Sequence, residues 1–185
     1  PRWWSAFVTA AGTTEQADLV EDIWHAYQAD ECAPHTTFFS ALAKAAGLVK
    51  RTDLVREAWA ACKSEADKAA SRNAEGAPVD PLGGSALGSR TWGAMAGAAG
   101  RCEDGELLNE VWQAWRRYQE RLESEAWASF AKAAANTDQH ALVSEIWASW
   151  RRTGAALSGR SWRTFAGAAG DSGNGELVRI RWAVC

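Results

Sequence analysis

Proline is nearly missing from this sequence: there are four in 185 residues, alongside a single methionine. Two of the four, Pro78 and Pro81, fall in one short stretch, so most of the chain is free of the residue that breaks helices. β-Branched residues are also few. Ala, Leu, Glu, Gln, Arg and Lys fill most positions, a mixture that favours helix over strand. An excess of positive charge is lacking too. The formal net charge is -3 and the isoelectric point about 5.7, which excludes a global electrostatic pull toward nucleic acid. No run approaches the roughly 18 to 20 apolar residues that span a membrane, so no membrane span is expected. The chain opens on Pro1 without the apolar segment of a signal peptide, and an earlier removal of a targeting peptide stays open.

Paired metal ligands are lacking as well. Cys32, Cys62, Cys102 and Cys185 stand apart with no C-x-x-C pair, and His25, His35 and His140 lie far from any cysteine cluster. The tight ligand spacing that zinc requires does not occur, so neither metal nor cofactor is expected, and free thiols in a reducing compartment fit best. There is no Gly-Lys pair for a phosphate-binding loop and no His-Glu-x-x-His. Gly170-Asp171-Ser172-Gly173 spells the nucleophile motif of trypsin-like proteases, but that motif acts only with a His and a second Asp on a β-barrel. Here it falls in a turn between helices, and no enzymatic activity is expected.

What the sequence does have is tryptophan, twelve in all, at regular spacing. The pattern Leu-Val-x-x-Ile-Trp appears as Leu19-Val20-Ile23-Trp24 and recurs ending on Trp59, Trp112, Trp147 and Trp182. Successive spacings are 35, 53, 35 and 35, and the long one carries an 18-residue insertion. Twenty residues before each of these stands another aromatic: Trp4, Phe39, Trp92, Trp127 and Trp162. Three residues later come Phe7, Leu42, Met95, Phe130 and Phe165, then an alanine pair ending on Ala11, Ala46, Ala99, Ala134 and Ala169. Repetition at a fixed period marks an array of structural units, each unable to bury its apolar face alone.

Both halves of the unit read as helices. The aromatic, the apolar residue three on and the alanine pair share one face of the first half. In the second half Leu142, Val143, Ile146, Trp147 and Trp150 form a broad apolar stripe, with Tyr27, Cys62, Trp115 and Cys185 in the last position of other copies. Cys62 and Cys185 are therefore expected in the core. Gly12, Gly47, Gly100 and the stretch from Gly170 to Gly175 stand between the halves, with Ala135-Asn136 in the fourth copy. We expect these to end the first helices in the left-handed conformation.

The expected fold is all-α: five 35-residue helix-turn-helix repeats stacked into a solenoid. Residues 1–71 hold two repeats, and 72–89 form a Pro/Gly-rich loop or flexible joint. Residues 90–185 hold three repeats, the last cut short inside its second helix. The structural core is expected at Trp4, Trp24, Phe39, Trp59, Trp92, Trp112, Trp127, Trp147, Trp162 and Trp182, with Trp3 one residue outside the register. Arrays of this kind finish in polar caps, and neither end shows one, so further repeats or a partner are expected there.

The 35-residue period and the twenty-residue distance between the two aromatics resemble the pentatricopeptide repeat family, over the whole chain except the insertion, with Trp in place of the usual Tyr and Phe. The tetratricopeptide signature Trp-x-x-Leu-Gly-x-x-Tyr is absent. The resemblance implies a right-handed α-solenoid in an organelle, mitochondrion or chloroplast, that binds RNA or builds a large assembly. In RNA-reading members each repeat reads one base with two or three side chains. Carried over, one reader is Ala6, Ala41, Ala94, Ser129 and Thr164. The other is Thr36, Ser71 or Ser89, Ser124 and Gly159. Alanine offers a base edge no donor or acceptor, so a base-by-base code is not expected. Lys44 and Lys132 share one register position, Arg90 and Arg160 another, and with Arg163 they form a broken basic strip on the first-helix side. The expected partners are other protein subunits of a large assembly, with single-stranded RNA as the alternative.

Overall fold

In the computed structural model, residues 3–30, 35–74, 87–118 and 121–173 are described. They form α-helices with no strand: α1 (Trp3–Thr13), α2 (Ala17–Ala29), α3 (Thr36–Leu48), α4 (Thr52–Ala74), α5 (Ser89–Arg101), α6 (Gly105–Tyr118), α7 (Ser124–Asn136), α8 (His140–Thr153) and α9 (Gly159–Asp171). The protein is all-α as expected. Trp182, Cys185 and residues 75–86 of the insertion lie outside the described residues. Of the insertion's ends, α4 runs on to Ala74 and α5 begins at Ser89.

The odd-numbered helices are the first halves of the sequence units, and they pack directly on one another: α1 on α3, α3 on α5, α5 on α7 and α7 on α9. α1, α3, α5 and α7 each also pack on their own second helix, α2, α4, α6 and α8. The contact of α3 with α5 carries this stacking across the insertion. There Ser40 and Thr91 share a buried 2.9 Å hydroxyl hydrogen bond, and Trp59 lies 5.8 Å from Trp92 between ring centroids.

The glycines do something other than what their position in the sequence suggests. Gly12, Gly47 and Gly100 are inside the helices and buried. A Cβ at Gly12 would lie 2.6 Å from the Ala45 Cα, one at Gly47 2.9 Å from the Ala98 Cα, and one at Gly100 2.6 Å from the Ala133 Cα. These glycines let first helices meet at backbone range. The left-handed turn is made three residues later, by Glu15 (φ 57°), Lys50 (φ 55°), Glu103 (φ 55°) and Asp138 (φ 55°), and by Gly173 (φ 67°) in the fifth unit. One bond recurs at four of these turns. The amide after the left-handed residue donates to the carbonyl of the second alanine of the pair: Gln16 to Ala11, Arg51 to Ala46, Asp104 to Ala99 and Gln139 to Ala134, at 2.8–3.0 Å. This is the helix-ending Schellman bond. It explains why the residue beginning each second helix sits in constant register.

Tryptophan fills the space between the two rows. Trp24, Trp59, Trp112 and Trp147 on the second helices are buried, as are Trp4, Phe39, Trp92 and Trp127 on the first, while Trp162 is half-buried. Trp112 meets Phe130 of the next unit at 5.2 Å and Trp147 meets Phe165 at 5.5 Å, both nearly edge-to-face, the favoured aromatic geometry. Trp24 donates its indole N–H to Glu57 at 2.7 Å. The indole N–H groups of Trp59, Trp112, Trp127 and Trp147 are buried with no hydrogen-bond partner. Each such group carries a desolvation cost of about 1–3 kcal/mol, which the large apolar area of the ring outweighs. Cys62 is fully buried, and burial pushes its thiol well above the usual range, so it is a core residue.

Phe7 departs from the register. Its counterparts Leu42, Met95, Phe130 and Phe165 are fully buried, yet Phe7 is 58% exposed, and Trp3 beside it is 47% exposed. In the later units that face of the first helix is covered by the unit before, and α1 has no described unit before it.

The residue that opens each second helix ties it to the preceding unit. Arg51 Nη1 donates to Glu21 at 2.7 Å and also bonds Asp53. Asp104 accepts two bonds from Arg56, at 2.7 and 2.8 Å, and a third from the Leu107 amide at 3.0 Å. Gln139 Nε2 donates to the Gly105 carbonyl at 2.7 Å. Arg116 of α6 reaches Glu145 of α8 at 2.7 Å.

Candidate interaction surface of the first helices

The side of the first-helix row away from the second helices is built from one stripe per helix. Lys44 and Lys132 are exposed at the same place on α3 and α7. Thr9, Gly97 and Gly167 hold that place on α1, α5 and α9, so the lysines alternate with small residues. Arg90 and Arg160 are exposed at the starts of α5 and α9, and Arg163 is exposed a turn further along α9. Sequence reasoning missed two members of this surface. Arg101 is exposed at the end of α5, and Leu48, at the equivalent place on α3, is 46% exposed. Both lie four residues after the lysine position, a helical neighbour that the spacing could have revealed.

Charge differs between the two rows. The first helices carry six basic side chains, Lys44, Arg90, Arg101, Lys132, Arg160 and Arg163, against two acidic ones, Glu125 and Asp171. The second helices are nearly balanced, ten acidic side chains against eight basic, with the acidic excess on α2 at Asp18, Glu21 and Asp22. Arg51 holds the carboxyls of Glu21 and Asp53 below the usual carboxylate range through their hydrogen bonds.

Several residues in base-reading register are committed to the protein itself, whereas Ala6 is exposed and Ala41 half-buried. Ala94 is buried. Ser129 and Thr164 are half-buried, and their hydroxyls donate to carbonyls one turn back, Glu125 at 2.9 Å and Arg160 at 3.3 Å. Of the second set, Ser89 Oγ accepts the Glu123 amide at 2.7 Å, and Ser124 Oγ accepts the Ser158 amide at 2.8 Å. These are the same bond one unit apart, from the first residue of one first helix to the residue before the next. Ser71 is exposed on α4, far along the chain from any first helix, and donates to the Asp67 carbonyl at 3.0 Å. Thr36 is half-buried and Gly159 is exposed.

Among the described residues no His lies within hydrogen-bond reach of Ser172 in the Gly-Asp-Ser-Gly stretch. Ser172 ends α9, and its hydroxyl donates to the Ala169 carbonyl at 2.9 Å. His35, a residue with acid–base capacity, instead caps α3 by accepting the Thr37 amide at 3.3 Å. An open hollow of about 870 Å³ along α4 is lined by Lys63, Ser64, Glu65, Asp67, Lys68 and Ser71. Its charges face solvent, and Lys68 is paired with Glu65 at 2.6 Å. Among the described residues no three His, Cys, Asp or Glu side chains converge as metal ligands, and no helix is long and apolar enough to cross a membrane. Compared with known proteins, the chain matches no family model, and no curated protein is significantly similar to it in sequence.

Proposed function

We propose that this protein is a non-enzymatic helical-repeat scaffold, a right-handed α-solenoid of five pentatricopeptide-like units that holds protein subunits together in a larger assembly. One observation carries this reading: five of the side chains in base-reading register, Ala94, Ser89, Ser124, Ser129 and Thr164, are buried or spent on bonds within the protein. A row whose first helices meet at backbone range while its second helices are spaced by Trp bends toward the first helices. That makes the Lys44–Lys132 side a concave face of the kind repeat proteins use for binding. An organellar setting rests on the family resemblance.

A second reading has its own support. The basic excess on the first helices suits the phosphates of single-stranded RNA, without base selection. Fluorescence anisotropy with a pool of single-stranded RNA separates the two. The scaffold reading expects no binding at physiological salt. Micromolar binding there, falling steeply as salt rises and lost in Lys44→Glu/Lys132→Glu, would replace it with the RNA reading.

A further inference from the structure

In the middle of the first-helix row the positive charges form a continuous line. α3, α5 and α7 each pack on a first helix to either side. At their shared register place α3 has Lys44, α7 has Lys132 and α5 has Gly97. The gap on α5 is filled from the next turn. Arg101 lies back along its helix, with Nη1 3.8 Å from where a Cβ of Gly97 would stand. Three successive helices thus present one cation each. Lys44, Arg101 and Lys132 are exposed, and none of them forms an ion pair among the described residues. Arg51, Arg56 and Arg116, by contrast, each hold a carboxylate. α3 and α5 have no acidic residue of their own, and the one on α7, Glu125, stands two helical turns before Lys132.

We propose that this face receives an extended acidic segment of a partner protein, with its carboxylates on Lys44, Arg101 and Lys132 and an apolar side chain beside Leu48. The proposal rests on the scaffold reading and names the chemistry of the partner. Charge complementarity is the argument: like charges on adjacent helices repel, and carboxylates laid across them relieve it. An extended chain advances about 3.4 Å per residue, so a carboxylate on every second or third residue keeps pace with helices about 8–10 Å apart. Two features favour a protein over RNA. Binders of single strands add aromatic side chains on which bases stack. Here the aromatics of α3, α5 and α7, namely Phe38, Phe39, Trp92, Trp127 and Phe130, are all buried. What the face adds to its charge is Leu48, 46% exposed, in an open hollow of about 380 Å³ that Arg101, Lys50 and Glu103 also line.

Fluorescence anisotropy of the whole chain at low salt tests this, with a labelled oligoglutamate peptide carrying one leucine and with oligouridylate of equal charge. The peptide should bind at about 10–100 µM, and oligouridylate about tenfold more weakly or less. Arg101→Ala and Leu48→Ser should each weaken peptide binding about threefold or more, and Lys44→Glu/Lys132→Glu should abolish it. Arg117→Ala removes an exposed cation of α6 and should leave binding unchanged. All these positions are exposed, and circular dichroism checks that each variant folds. No peptide binding overturns the inference and leaves the scaffold reading standing on another surface. An equal loss in Arg117→Ala overturns it as well, since charge anywhere would then suffice. Tighter binding of oligouridylate also overturns it, and if that binding persists at physiological salt the scaffold reading falls with it.

Discussion

Where α5 meets α7, a glycine lies against an alanine at backbone distance; where α6 faces α8, an arginine reaches a glutamate through its full side chain. The two rows of one array are thus held by different physics. Contact along α1, α3, α5 and α7 depends on the absence of a methyl group at Gly12, Gly47 and Gly100, has little tolerance for volume there and is indifferent to salt. Contact between second helices runs through Glu21 and Arg51, Arg56 and Asp104, and Arg116 and Glu145, pairs that are half-exposed apart from the buried Asp104 carboxylate and that tolerate changes of size and weaken as salt screens them. Position therefore comes mainly from the glycine row, and the ion pairs adjust it.

The largest effect should come from removing what separates the rows. Trp112→Ala leaves a cavity between α6 and α7 and should cost about 3–5 kcal/mol in denaturant unfolding, whereas Trp3→Ala, on the exposed face, should cost under about 0.5 kcal/mol. Equal losses would mean that the register is misassigned. Next comes a test by sign. Helix propensity alone makes any Gly→Ala change in a helix favourable by about 1 kcal/mol. Gly100→Ala should instead destabilise by about 1–3 kcal/mol, because the added Cβ would meet Ala133 backbone. Gly167→Ala, with open space around it, should stabilise by about 0.5–1 kcal/mol. Two changes of the same sign would show that the close approach of α5 to α7 does not depend on glycine.

Smaller effects belong to the second helices. Arg56→Ala should cost about 1 kcal/mol by taking two hydrogen bonds from Asp104, which keeps the Leu107 amide, and the loss should shrink in high salt. The smallest effect is one of pH. Glu21 and Asp53 are held below their ordinary carboxylate range, so their contribution is present above the unfolded carboxylate values, near about 4, and is lost as pH falls through the folded ones. Glu21→Gln should flatten the acid side of the stability profile relative to wild type. An unchanged profile would show that the Arg51–Glu21 pair contributes nothing to folding.

The helices and the burial of Trp24, Trp59, Trp92, Trp112, Trp127 and Trp147 were legible in the sequence because each follows a local periodicity. The role of the glycines was not. A glycine at the end of a helix reads as a left-handed cap, yet here Glu15, Lys50 and Glu103 accept that conformation at the surface while glycine serves the neighbouring helix. Gly173, which takes the left-handed position after the first helix of the fifth unit, was the available clue. The exposure of Phe7 was hidden for a related reason: burial in an array belongs to the neighbour, and the same residue type is core at Phe130 and surface at Phe7. The serine bonds from Ser89 and Ser124 span 34 residues, and no local pattern marks which hydroxyls of an array turn toward the next unit.

The tryptophan ladder also sets how the protein interacts with light. Trp112 and Trp115 have ring centroids 4.6 Å apart, Trp115 and Trp127 5.1 Å, and Trp150 and Trp162 5.1 Å. Transition dipoles this close couple, so absorbed energy is shared among neighbouring indoles and settles on the lowest-lying one before emission. Buried, unpaired N–H groups at Trp59, Trp112, Trp127 and Trp147 keep that emission at short wavelength. The same coupling adds its own bands to the far-ultraviolet circular dichroism, so the apparent helix content of the folded chain will depart from the content its backbone carries.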